Sequence, residues 1–200
     1  MAAKSQSKTV ELKTRTFASQ QKWLSWLDKN HAKSSGLWLK FAKKGSGIPS
    51  VTYPEALEVA LCYGWIDGQL KSLDATWYLQ RFTPRRARSK WSKINCAKTA
   101  ALIEQGRMQP AGLRQIEAAK ADGRWDAAYD SPRNATVPGD FAKALAKNAR
   151  ARKFFATLRG ANRFAVLYRV QDATRPEVRA RRIRALVEML AAGKKFHPMS

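Results

Sequence analysis

Trp65, Asp67, Arg85, Ser89, Trp91 and Asn95 are the residues whose types and spacing could do chemistry. They lie between Tyr63 and Asn95, in a stretch dense in aromatic and charged side chains. Two indoles supply flat walls, Arg85 a planar fork for carboxylate or phosphate, and Asp67 a carboxylate. If Ser89 or Lys90 opens a helix, its first N–H groups favour an anion there, and Trp91 and Asn95 share one helical face. Together these residues describe a pocket for a small anionic or aromatic ligand. Two other readings stay open. Asp67 could pair with Arg85 or cap a hairpin, the tryptophans filling the core. Asp67 could also act as the acid or base of an enzyme. The balance leans away from catalysis, because the usual partners are scarce. His31 and His197 are the only histidines, no cysteine pair has metal-ligand spacing, and no dinucleotide or phosphate-loop fingerprint occurs. No metal and no cofactor is expected.

The elements that must position these residues can be read in order. Trp23, Leu24, Trp26 and Leu27 recur at helical spacing in a helix over 17–30, with Ser19 as its cap and both indoles turned to the core. Gly36–Lys44 alternates as a strand, Leu37, Leu39 and Phe41 on one side, Trp38 and Lys40 on the other. The Gly45–Pro49 loop reads as a plain turn. Thr52, Pro54 and Glu55 mark a helix start, and the helix Glu55–Tyr63 is apolar nearly all round, with Gly64 as its stop. Asp67-Gly68 reads as a tight turn, Trp77–Phe82 as a strand, and Pro84 as its end. Further helices run from Ser89 or Lys90 to Gly106 and from Pro110 to Gly123.

Residues 130–138 form the best linker, and all seven tryptophans precede it. After it the pattern is helical: Gly139–Lys147, Ala149–Arg159, Arg163–Asp172 and Arg175–Ala192, with Asn148 and Asn162 as caps and Gly160 and Gly193 as stops. The fold class is therefore α+β, mainly helical, with a small antiparallel sheet among helices in the N-terminal part and an all-helical C-terminal module. The expected boundaries are a disordered tail over 1–15, a tryptophan-rich domain over 16–130 and a basic helical domain over 137–200.

The formal charge is +23, from 38 basic and 15 acidic residues. Such a field attracts polyanions. A nucleic-acid surface is the alternative function, through Arg81, Arg86, Arg88, Lys90 and Lys93 in stretch 81–98 and through Arg175, Arg179 and Arg182 in stretch 175–184. No apolar run approaches the roughly 20 residues of a membrane helix. The N-terminal residues lack a secretory pattern, and Cys62 and Cys96 read as reduced thiols, so the expected address is cytoplasmic. Oligomeric state is not legible.

Tyr63-Gly64-Trp65-Ile66-Asp67-Gly68, Phe82-Thr83-Pro84-Arg85-Arg86, Ser89-Lys90-Trp91-Ser92-Lys93-Ile94-Asn95 and Gly106–Gly112 resemble the YdeI/OmpD-associated (OmdA-like) family of bacterial proteins. The segment from Val137-Pro138 to Ile183 resembles that family's helical domain, and the likeness runs from about Phe17 onward. The resemblance implies bacteriocin protection, a stress or antimicrobial-resistance role and an association with an outer-membrane porin. It implies no catalytic residues.

Overall fold

The computed structural model describes residues 11–197. The residues before Glu11, most of the expected tail, lie outside the described residues. Two compact units are formed. Among the described residues, the first comprises those up to Ser89 together with Asn95–Asp126, and the second Lys90–Ile94 together with those from Ala127 on. Chain order is α+β and mainly helical, with the sheet confined to the first unit.

The first unit begins with β1 (Thr14–Thr16), so ordered structure starts inside the segment read as tail. Helix α1 (Gln20–Asn30) is capped by Ser19, whose Oγ accepts from Lys22 N. Strand β2 (Leu37–Ala42) alternates as expected, with Leu37, Leu39 and Phe41 buried. Helix α2 (Tyr53–Cys62) opens with Glu55 accepting from Thr52 N (2.8 Å) and Thr52 Oγ1 (2.7 Å). Those bonds hold the Glu55 carboxyl below its ordinary pKa. Gly64 ends the helix at φ 72°, where a side chain would be strained.

Strands β3 (Trp65–Ser72) and β4 (Trp77–Pro84) form an antiparallel hairpin. The sheet order is β1-β2-β4-β3, and β1 joins β2 in parallel, so the sheet is mixed. The tight turn expected at Asp67-Gly68 is a β-bulge inside β3 instead. Asp67 pairs with Phe82 there, and Gly68 leaves room for the Arg81 guanidinium, which would stand 3.1 Å from an added Cβ. The real turn is at Asp74, whose Oδ1 accepts from Thr76 N and Trp77 N. Both positions carry a turn-forming aspartate, and strand pairing decided between them.

Helices α3 (Lys93–Glu104) and α4 (Pro110–Ala121) follow. The core of this unit gathers Trp23, Leu27, Leu39, Phe41, Leu61 and Trp65. Trp23 and Trp26 stack with centroids 5.4 Å apart.

In the second unit, α5 (Gly139–Ala146), α6 (Ala149–Thr157), α7 (Gly160–Gln171) and α8 (Pro176–Ala191) bury Phe141, Phe155, Val166, Val170, Ile183 and Leu190. Asn148 caps α6 through Ala151 N (3.0 Å). Asn162 does not cap: α7 already starts at Gly160, and Asn162 exchanges two hydrogen bonds with the His197 backbone. Arg179 ties α8 to the rest. Its Nε and Nη2 donate to Asp140 (2.5 and 2.9 Å), and Nη1 donates to Val170 O just before the end of α7 (2.7 Å).

The Asp140 carboxyl is held below the usual range, first by its hydrogen bond with Arg179. A depressed folded-state pKa adds stability above the unfolded value and loses it as pH falls through the folded value. The second unit is therefore expected to weaken as pH drops below about 4. Urea unfolding at pH 3 and pH 5 checks this. Asp140→Asn should flatten the difference, and an unchanged difference would show that this partly exposed pair contributes nothing.

Candidate functional site

Trp65 opens β3 directly after Gly64 and is buried. Its ring meets Trp23 and Trp26 edge-on, with centroids 6.2 and 5.8 Å away, and its Nε1 donates to His31 O (3.1 Å). It is therefore a core residue rather than a pocket wall. Tyr63, just before it, donates to Asp28 Oδ1, and burial together with the Asp28 charge pushes its pKa up to about 12.

Asp67 faces the helical side of the sheet and accepts from Tyr53 Oη at 2.9 Å. Arg85 is buried, and its backbone N donates to Gly64 O (3.0 Å), which ties the end of β4 back to the helix stop. Its charge acts on Cys96, opposing the rise in thiol pKa that burial causes. Both cysteines are free thiols.

The helix expected from Ser89 or Lys90 starts at Lys93. Ser89 closes a turn instead: its N donates to Arg86 O (2.8 Å) and its Oγ accepts from Arg86 N (2.9 Å). Ser92 bridges to Tyr129 in parallel, with Tyr129 N donating to Trp91 O and Lys93 N to Tyr129 O. That pairing keeps Trp91 and Ser92 out of the helix, so Trp91 and Asn95 do not share a helical face. The helix N-terminus expected to attract an anion at Ser89 is absent. Trp91 is buried, as is Asn95, whose carbonyl accepts from Thr99 Oγ1.

The basic residues divide in the same way. Arg179 is committed to Asp140 and the end of α7, and Arg182 Nη1 donates to Arg169 O (2.9 Å) and Asp172 Oδ2 (3.2 Å). Lys90 pairs with Asp172 and Lys93 with Asp130. The stripe expected along 175–184 is thus partly used inside its own unit. Arg81, Arg86, Arg88 and Arg175 are exposed.

An open cleft lies elsewhere in the first unit, at the loop after β2. It measures about 750 Å³ and is lined by Lys43, Lys44, Ser50, Tyr53 and Tyr78 together with the Gly45–Ile48 loop. Gly45 and Gly47 adopt positive φ (86° and 70°) and let this loop double back. Lys43 Nζ donates to Asp74 O (2.6 Å), whereas Lys44 stands exposed at the rim. Tyr53 links the cleft to the central motif, because Asp67 holds its hydroxyl. The loop that read as a plain turn therefore lines a cleft. The signal available was two lysines beside two glycines, which fits no phosphate-loop spacing.

A second cleft of about 520 Å³ lies in the other unit, between α7, α8 and Phe196. Arg169 lays its guanidinium over the Phe196 ring there (3.7 Å). No helix among the described residues is long and apolar enough to cross a membrane.

Residues 15–115 match the family model described as Domain of unknown function (DUF8412), and residues 134–193 match the model described as Bacteriocin-protection, YdeI or OmpD-Associated. The first match covers half of the chain, which therefore belongs to that family, and the second gives its C-terminal part as a YdeI/OmpD-associated domain. The central motifs fall within the first match and α5 to α8 within the second. No curated protein and no solved structure matches the chain.

Proposed function

We propose that this chain is a stress or antimicrobial-protection protein of the YdeI/OmpD-associated type, and that it acts by binding a small anionic or aromatic ligand without catalysing a reaction. The observation that carries this reading is the cleft beside Tyr53, where two lysines, two tyrosine rings and a glycine loop converge. The site moves accordingly from the central motif to its neighbour. Trp65 supplies the core beneath, and Asp67 orients Tyr53. Rings for stacking and an exposed ammonium at the rim suit an aromatic acid. The family description supports a protective role, and the free cysteines suit a reducing, cytoplasmic address, which cell fractionation would test.

The test is calorimetric titration with a panel of aromatic carboxylates and phosphates. At least one should bind, and Lys44→Ala should weaken it about tenfold, the loss of a charge-assisted contact. Asp67→Asn should weaken it less, through a looser Tyr53. A panel without binders, or Lys44→Ala binding like the parent, would sink the reading. Turnover of a bound compound that Asp67→Asn abolishes would favour the enzyme alternative.

A further inference from the structure

The sheet of the first unit has a second face, and its composition is unlike that of a plain solvated sheet. Helix α2 meets the sheet on the side that carries Leu39, Phe41 and Phe82. The opposite side receives the alternate residues, and pairing register brings them together. Trp38 stands opposite Arg81, Lys40 opposite Leu79, and Ala42 opposite Trp77, while β3 sets Lys71 opposite Leu79. The result is a checkerboard of indoles and cations. Lys71 Nζ lies 4.4 Å from the Trp38 ring centroid, and Lys40 Nζ lies 4.3 Å from that of Trp77. Arg81 is exposed and lies across the bulge, over Gly68. Both indoles are half-buried, and no strand residue alternating onto this face is acidic.

We propose that this face binds single-stranded nucleic acid. Charge complementarity selects a polyanion: Lys40, Lys71 and Arg81 lie on the face of a chain with a formal charge of +23. The indoles select among polyanions. A duplex hides the flat faces of its bases, whereas a single strand offers them for stacking. An acidic peptide satisfies the cations but leaves both indole faces unused. The lysines fit a binding step as well as a resting state. Each ammonium covers an indole while the face is empty. Its flexible stem can swing to a phosphate when a base takes its place on the ring. This surface differs from the basic stretches at 81–98 and 175–184 and shares only Arg81 with them. It is also independent of the cleft beside Tyr53.

Anisotropy titrations of the whole protein with labelled oligo(dT) and oligo(U) of about 12 nucleotides test it. A duplex of the same length and an acidic peptide serve as competitors. Single strands should bind more tightly than the duplex or the peptide. The logarithm of affinity should fall with that of salt with a slope of about −2, from three cations on a single strand. Trp38→Ala and Trp77→Ala should each lose about tenfold in affinity with the slope kept. Trp77→Leu, which keeps apolar area but loses the stacking face, should behave like Trp77→Ala, and circular dichroism checks that each variant folds. The triple variant Lys40→Ala, Lys71→Ala, Arg81→Ala should flatten the slope. Preference for oligo(U) assigns RNA and preference for oligo(dT) assigns DNA, and either supports the proposal. Equal or tighter binding of duplex or peptide, or tryptophan variants that bind like the parent, would overturn it.

Discussion

Replacing Trp65 with alanine is expected to destabilise the first unit by about 3–5 kcal/mol, the cost of truncating a large buried aromatic. The ring is 1% exposed and meets Trp23 and Trp26 edge-on. Its removal leaves a cavity that strands and helices, already fixed by their own hydrogen bonds, cannot close. It also orphans a contact, since Trp65 Nε1 donates to His31 O. Trp65→Phe should cost less, because most of the ring remains and the loss falls mainly on that hydrogen bond. Urea unfolding measures both. A tryptophan lining an open pocket would behave differently: truncation would move ligand affinity and leave stability within about 1 kcal/mol. A small loss for Trp65→Ala would therefore return Trp65 to the pocket reading.

Gly112→Ala carries the second large effect, and its sign is unusual. Gly112 lies inside α4, where alanine is ordinarily the better helix former by about 1 kcal/mol. Here the added Cβ would stand 2.3 Å from Cys62 O and 2.9 Å from Cys62 C. These are backbone atoms at the end of α2, and the same carbonyl already accepts from Gln109 N at 3.1 Å. Neither helix can yield without breaking that join. Overpacking of this kind costs about 1–3 kcal/mol or more, so it outweighs the propensity gain. Gly112→Ala should lower stability by about 2 kcal/mol. Gly139→Ala provides the control: an added Cβ there meets nothing within 4 Å, and the change should be neutral or stabilise by up to about 1 kcal/mol. If both variants gain stability, the tight crossing of α2 and α4 is wrong.

The most legible parts of the fold were those whose signal is local. Strand β2 was readable because Leu37, Leu39 and Phe41 alternate with Trp38 and Lys40, a period that only a half-buried strand uses. Helix α2 was readable from Thr52, Pro54 and Glu55 at its start and Gly64 at its end. The helices after residue 138 were readable from apolar spacing, and errors fell where caps compete, as at Asn162. The candidate site was less legible. Asp67-Gly68 and Asp74 carry comparable turn signals, and the chain runs on through a bulge between Asp67 and Leu70 because β4 supplies partners on both sides of it, Phe82 for Asp67 and Gln80 for Leu70. Ser89 to Ser92 looked like a helix start, yet Tyr129, distant in sequence, kept Trp91 and Ser92 out of the helix. That pairing dissolved the expected cluster of Trp91 and Asn95 on one helical face.

By itself, the sequence determined the α+β class, the helical C-terminal part and the basic charge, because each rests on periodicity, composition or capping within a few residues. Only the tertiary structure decided that Trp65 is core and that Asp67 holds Tyr53 at a cleft. It alone decided that Arg179 and Arg182 secure α8 and that Trp38, Lys40, Lys71, Trp77 and Arg81 share one sheet face. Those outcomes depend on which distant segments pair, and on the sheet also on register, since a one-residue slip of a strand would turn its side chains to the other face.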